Sequence, residues 1–337
     1  MRPIDYTRAD SIAAAVEAFA AVGADARYIA GGTTLYDLMK LRVEQPTHLI
    51  DVSGITGLNT IDTNGDVLRF GALALMNEVA YTPFVREEYP VLSESLLKAA
   101  SQQLRNMATV GGNLLQRTRC PYFRNGAGSS STVGVYPCNK RVPGSGCAAI
   151  GGLDRGHAIL GVSDACVAVS PGDWPVALTA MDASIEIHGP AGTRTLPISD
   201  FYRLPGDTPH LEFNIDHGEI ITAISVPKTP SRSSTYHKIR DRESFAFALA
   251  SAAVVVEMEG AIVRTARIAL GGVATVPWRA HSAEEALRGK QLTPDLALQA
   301  GRTAFGDARP GQHNGFKSDL GARVIADALM IAAERSA

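Results

Sequence analysis

Four cysteines, Cys120, Cys138, Cys147 and Cys166, fall within residues 120–166 and nowhere else in the chain, with spacing C-x17-C-x8-C-x18-C. Thiolates are soft ligands, and four of them complete an iron–sulfur cubane or a tetrahedral zinc site. Structural zinc commonly uses at least one tight cysteine knuckle, and none occurs here. Two disulfides are a further reading in an oxidising compartment. Four unrelated core cysteines would be the plainest reading, but their confinement to one segment speaks against it. Arg117, Arg119, Arg124, Lys140 and Arg141 surround the quartet. They are placed either to offset an anionic tetrathiolate or to form a solvated basic face. His157 lies in the same stretch; with four thiols filling a coordination sphere, it reads as a structural histidine.

Two other segments have anion chemistry. AGGTTL (30–35) follows a short apolar run and precedes a helical pattern. Tandem glycines let a backbone approach a phosphate, threonines add hydroxyl donors, and a helix start adds free N–H groups. The loop matches neither the dinucleotide fingerprint G-x-G-x-x-G nor a P-loop. ATVGGN (108–113) repeats the same chemistry. Either loop alone is compatible with an ordinary turn; two together suit a long diphosphate cofactor better.

The elements that must carry these residues are legible in part. Ser11 caps a helix to about Ala21, Arg27–Ala30 and Thr47–Asp51 read as strands, and Leu35–Lys40 as a helix. Gly57–Asp62 and Val67–Gly71 flank an Asn64-Gly65 hairpin turn. Helices are expected at Met76–Val85, Val91–Ala100 and Ala177–Ala183, a hairpin at Ser184–His188 with Thr193–Pro197, and a strand at Gly218–Pro227. Residues 119–165 are rich in Gly, Ser, Pro and Asn without periodicity, and a loop that long needs something beyond an apolar core to order it, such as a metal centre. After a polar linker at 228–235 come a strand from Tyr236, a helix at Ser244–Val256, strands Ala261–Val263 and Arg267–Gly271, and helices near Ala283–Leu287, Pro294–Ala304 and Lys317–Ser336.

With 337 residues, one to three domains are expected. Basic and acidic residues number 32 and 34, for a net charge of -2. That balance gives no electrostatic reason to expect nucleic acid or an anionic membrane as partner. No run is long and apolar enough for membrane insertion, and the N-terminus reads as an amphipathic helix rather than a signal peptide. The histidines are scattered, and no nucleophile motif or paired acids stand out, as befits a chain whose cofactors carry the chemistry.

YIAGGTTLYDLMK (28–40), LRNMATVGGNLLQ (104–116), SPGDWPVALTAMDA (170–183) and the GGVAT–PWRA pattern at 271–280 together resemble the FAD-binding subunits of the molybdenum hydroxylases, the xanthine dehydrogenase and carbon monoxide dehydrogenase group. The resemblance spans essentially the whole chain. RTRCPYFRN, CNKR, GSGCAAIGG and GHAILGVSDAC narrow it to the flavin subunits of periplasmic aldehyde oxidoreductases, which carry an iron–sulfur insertion that most relatives lack. Val276 departs from the C-terminal pattern, where a basic residue is expected, and leaves any contact of that residue in doubt.

The resemblance implies an α+β chain. Its two-subdomain FAD-binding fold is of the vanillyl-alcohol oxidase/PCMH type, at residues 1–55 and 56–227, with the iron–sulfur insertion at about 117–169. An α+β C-terminal domain of the CO dehydrogenase flavoprotein type follows at 236–337. It implies FAD contacts from Tyr28, Ile29, Ala30, Gly31, Gly32, Thr33, Thr34 and Leu35, from Thr109, Gly112 and Asn113, and from Asp173, Ile221 and Lys238. It also implies a [4Fe–4S] cluster on Cys120, Cys138, Cys147 and Cys166. The implied partners are a molybdenum-cofactor large subunit, a [2Fe–2S] small subunit and an external electron acceptor. The compartment would be periplasmic if a signal-bearing partner exports the complex, and cytoplasmic otherwise. A hydroxybenzoyl-CoA reductase-like or xanthine dehydrogenase-like complex is the alternative within the group. A stand-alone FAD oxidase and a zinc-stabilised binding module are the readings outside it.

Overall fold

The computed structural model describes residues 3–125 and 136–336; part of the cysteine-bearing insertion, 126–135, lies outside the described residues. The first unit is β1 (Asp5–Arg8), α1 (Ile12–Val22), β2 (Ala26–Ile29), α2 (Leu35–Lys40) and β3 (His48–Asp51), with the three strands parallel in the order β1-β3-β2. The Ser11 hydroxyl accepts from the Ala14 N–H and starts α1, and Gly23 at φ 77° ends it. Ala15 and Phe19 of α1 are buried with Ile50 of β3 and Ile220 in one small core.

The second unit begins with β4 (Ile61–Asp62) and β5 (Val67–Gly71). Short helices follow: α3 (Met76–Tyr81), α4 (Pro83–Glu88), α5 (Pro90–Leu97), α6 (Gln102–Arg105), α7 (Val110–Leu114) and α8 (Pro121–Arg124). After the insertion come α9 (Trp174–Ala180), β6 (Ser184–Gly189), β7 (Gly192–Pro197), α10 (Ile198–Phe201) and β8 (Ile220–Pro227). The strands form an antiparallel sheet in the order β4-β5-β8-β6-β7. In β6, Ile185 and Ile187 alternate into the core as the pleat requires. The single helix expected over Met76–Val85 is two, because Pro83 has no N–H to continue α3 and Thr82 adopts ψ 119°.

The third unit is β9 (Ser234–Ile239), β10 (Ala250–Glu259), β11 (Ile262–Gly271) and β12 (Trp278–Arg279), antiparallel in the order β12-β11-β10-β9, with α11 (His281–Leu287), α12 (Pro294–Thr303) and α13 (Phe316–Glu334). Here the expectation of a helix at Ser244–Val256 is corrected: the segment contains no helix, and from Ala250 it is strand β10. Its apolar run has no period because both faces are buried. Ala250, Ala252, Val254 and Val256 enter the C-terminal core, while Ala253 and Val255 enter the central one. Phe245, at φ 51°, also interrupts any helix before Ala250. The two strands expected at 261–271 are one, since β11 pairs with β10 along its length.

The described part of the insertion docks on the C-terminal unit. Ile159 and Leu160 are fully buried in the C-terminal core, and Leu160 bridges Ala274. The Asp154 carboxylate accepts from the N–H groups of Gln312 and His313, both at 2.8 Å.

Candidate functional site

The first glycine loop runs from the end of β2 into α2. Gly32 sits at φ 71°, and a Cβ on Gly31 would stand 1.8 Å from the carbonyl oxygen of Met107. Only glycine permits that approach, so the loop is pressed against the segment leading into the second loop. Among the described residues, the N–H groups of Thr33 and Thr34 have no protein acceptor. They stand beside the start of α2, where the helix dipole adds partial positive charge.

The second loop is fastened from the other side. Met76 donates to the Ala108 carbonyl and Val110 to that of Ala74, both at 2.9 Å. Thr109 is the N-cap of α7, its hydroxyl accepting from the Gly112 N–H at 3.1 Å. Asn113 is buried, and its Oδ1 has no partner among the described residues. An orphaned buried amide oxygen costs about 1–3 kcal/mol unless a ligand or water donates to it.

The two loops form one wall of a cleft of about 500 Å³, within the usual span of roughly 300–1,000 Å³ for cofactor sites. All of Tyr28, Ile29, Ala30, Gly31, Gly32, Thr33, Thr34 and Leu35 line it, as do Thr109, Gly112 and Asn113. The Tyr28 hydroxyl donates to the Gly218 carbonyl at 2.8 Å and ties the first unit to the second. Burial raises the Tyr28 phenol above its ordinary range. The structure does not bring Asp173, Ile221 and Lys238 to the cleft lining. Ile221 is buried in β8, two residues beyond the cleft-lining Glu219. Asp173 precedes α9, and both its oxygens are engaged: Oδ1 accepts from the Tyr236 hydroxyl at 2.6 Å and Oδ2 from Lys238 Nζ at 2.8 Å. Lys238 Nζ also donates to the Lys98 carbonyl at 3.0 Å.

All four cysteines face one small cavity, and all four are free thiols. Cys120 opens α8, Cys138 and Cys147 oppose each other in an isolated bridge, and Cys166 follows a tight turn at Ser163. Burial pushes the Cys120 thiol up to about 12 and raises that of Cys166, which disfavours the bare thiolate at these two positions. Among the described residues, no group of three or more His, Cys, Asp or Glu side chains is arranged to hold a single metal ion. The His157 ring is buried, with Nε2 3.2 Å from Cys120 Sγ.

The basic residues around the quartet are engaged by carboxylates and carbonyls, and Lys140 also lines the cysteine cavity, where its charge favours the Cys166 thiolate. Arg117 pairs with Glu212 and Glu44, Arg119 and Arg124 with Asp37, and Lys140 with Glu212. Arg141 donates to the carbonyls of Tyr122, Phe123 and Tyr136, gathering the insertion around one guanidinium. Glu44, His210 and Glu212 line the cleft and were not visible as site residues in the sequence. They lie far apart in the chain and in no motif, so only the fold reveals them.

The chain matches a family model described as the FAD binding domain in molybdopterin dehydrogenase over residues 2–229, and the CO dehydrogenase flavoprotein C-terminal domain over residues 234–331. It is 46% identical to the aldehyde oxidoreductase FAD-binding subunit PaoB of Escherichia coli K12, over 98% of each chain. It is 30% identical to the carbon monoxide dehydrogenase medium chain of Afipia carboxidovorans, over 86% of this chain and 81% of that one. A solved structure of carbon monoxide dehydrogenase from Hydrogenophaga pseudoflava superposes with a TM-score of 0.76 at 27% identity, covering 99% of this chain and 98% of that chain.

Proposed function

The chain belongs to the FAD-binding subunits of the molybdenum hydroxylase family, and on that premise we propose that it is the FAD and [4Fe–4S] electron-transfer subunit of a molybdenum-containing aldehyde oxidoreductase. It would stand between a molybdenum-cofactor large subunit and a [2Fe–2S] small subunit on one side and an external electron acceptor on the other. The observation that supports the reading is the nearness of two sites: a cleft walled by both glycine loops, and a four-thiol cavity next to it, since Leu38 of the cleft wall belongs to one apolar cluster with Phe123, Cys138 and Cys120, which line the cavity. The extended likeness to a relative named for aldehyde oxidation supports the substrate class.

Residues 28–35 would hold the cofactor's diphosphate on the free N–H groups of Thr33 and Thr34. Gly112 admits close approach of the second loop, and Asn113 supplies the unmet amide oxygen. Asp173, Ile221 and Lys238 lie outside the cleft lining; Asp173 accepts there from the Tyr236 hydroxyl and the Lys238 ammonium. Cys120, Cys138, Cys147 and Cys166 would hold the cluster, and the burial of Cys138 and Cys166 keeps water from it. When bound, a flavin and an iron–sulfur cluster together convert between two-electron and one-electron transfer. Among the described residues, no helix is long and apolar enough to cross a membrane. The compartment follows the assembly: periplasmic if a signal-bearing partner carries the folded chain out, cytoplasmic otherwise.

Anaerobic purification of the full chain with adequate iron, followed by flavin, iron and acid-labile sulfide determination, tests the cofactors. Flavin with iron and sulfide in cubane proportion is expected; a colourless protein with stoichiometric zinc would overturn the reading. Aldehyde-dependent dye reduction that requires this chain alongside the two other subunits tests the role.

A further inference from the structure

One side chain of the cleft wall reaches the wall of the cysteine cavity. Arg117 follows the second glycine loop and lines the flavin cleft. Its guanidinium lies over the Phe123 ring, 4.6 Å from the centroid. Phe123 is 1% exposed, lines the cysteine cavity and packs on Cys120, Cys138 and Leu38. Arg117 Nε donates to Glu212 Oε1 at 2.6 Å, and the other Glu212 oxygen lies 3.1 Å from Lys140 Nζ. Lys140 lines the cysteine cavity two residues after Cys138, while Glu212 lines the cleft. The second Arg117 partner, Glu44, is also in the cleft wall and pairs with Arg27 of β2, the strand that delivers the first glycine loop.

Arg27, Glu44, Arg117, Glu212 and Lys140 thus form an alternating chain of charges, from the strand under one site to the loop around the other. The Glu44, Arg117, Glu212 and Lys140 side chains are 15, 19, 12 and 11% exposed, so solvent screens them only in part. A partly buried pair is costly to break, because the partner left behind keeps its charge without its counterion. The cysteine insertion therefore cannot relax without disturbing Glu212 and Arg117, and these cannot move without reshaping the cleft.

We propose that Arg117 is a positioning residue that couples the two sites thermodynamically, so that filling the thiol cavity raises the affinity of the cleft for FAD, and bound FAD in turn retains the cluster. The inference rests on the cofactor reading above. It adds that the insertion has a regulatory consequence: loss of the cluster releases flavin. Coupling between sites is reciprocal and typically amounts to about 5–150-fold in affinity. Two contacts of different kinds, a charge pair and a stacked ring, meet at one guanidinium. Lysine keeps the charge without the planar fork or the stacking.

The test is FAD titration into flavin-stripped full-length chain, with the cluster intact and after its removal by oxidant and chelator, in wild type, Arg117→Met, Arg117→Lys and Glu212→Gln. In wild type, cluster removal is expected to weaken FAD binding by about fivefold or more. In Arg117→Met and Glu212→Gln the two affinities should agree within about twofold, with iron and sulfide still present before stripping. Arg117→Lys should retain part of the coupling. Equal FAD affinity with and without cluster in wild type overturns the proposal, as does full coupling in either neutral variant. Wild-type chain that never acquires iron and sulfide overturns the cofactor reading, and this inference with it. An intact cluster without coupling overturns this inference alone.

Discussion

Gly31 and Met107 lie in two different glycine-loop segments, yet a Cβ on Gly31 would stand 1.8 Å from the Met107 carbonyl oxygen. The contact presses the two loops together, so Gly31 and Gly32 carry different constraints. Gly31→Ala must push the loops apart, at about 1–3 kcal/mol for an overpacked contact. Gly32→Ala meets Ile29 only at 3.5 Å and bears mainly the left-handed backbone cost, roughly 1–2 kcal/mol. Flavin content of the purified variants should fall furthest for Gly31→Ala. Equal retention in both would remove the loop contact from the design of the site.

Cys138 is buried and faces the thiol cavity beside Phe123. Cys138→Ser is expected to lose iron and sulfide and to lower hydrogen-exchange protection over 136–169, while part of the flavin binding survives. Unchanged iron content would exclude Cys138 as a ligand.

His157 Nε2 lies 3.2 Å from Cys120 Sγ, and the proton is assigned to Nε2 from that contact. An N–H donated to a ligating sulfur favours the more electron-rich reduced cluster. With the proposed cluster bound, His157→Phe should therefore lower its midpoint potential without loss of iron, as read by potentiometric titration with EPR detection. A potential unchanged or raised would contradict the hydrogen bond.

Lys238 and Asp173 form an ion pair with side chains 1% and 6% exposed. Removing one partner leaves a buried charge, and Asp173→Asn should cost about 3–5 kcal/mol in urea unfolding. The double variant Asp173→Leu/Lys238→Met should cost clearly less than either single change. A double variant as damaged as the sum of the two would mean that the two side chains are not coupled.

Lys317 is fully buried, its ammonium donating to the Gly272 carbonyl at 2.6 Å. Burial pulls it from 10.5 to about 8. The folded chain thus releases this proton before the unfolded chain does. Between about pH 8 and 10.5 the unfolded state binds more protons, so this group adds stability as pH rises through that window, by at most about 1.4 kcal/mol per unit. Below pH 8 both states are protonated and the penalty for the buried charge is present in full. Lys317→Met should flatten the difference; thermal unfolding of both chains from pH 7 to 10 checks it, and parallel curves would refute the assignment.

Local chemistry was legible along the chain. Ser11 and Thr109 read as cap-forming and anion-type residues because their hydroxyls act within three positions of themselves. The two glycine loops and the cysteine quartet were visible because ligand chemistry selects residue types, not merely positions. The strand at Ala250–Glu259 was misread as a helix because burial on both faces erases the alternation that identifies a strand. The insertion was expected to need a metal centre for its order, but Ile159 and Leu160 also anchor it in a core that lies far away in sequence.

The sequence by itself therefore determined which groups this protein owns: two phosphate-type loops, four soft ligands, and the patterned segments that carry them. Tertiary structure alone decided that Arg117, Glu44, Glu212 and Lys140 join the two sites, and that Asp173 holds Lys238 rather than lining the cleft. The reason is physical. Covalent spacing governs contacts within a turn or two of chain. The neighbours of a buried charge are chosen by how distant elements pack, which no local pattern records.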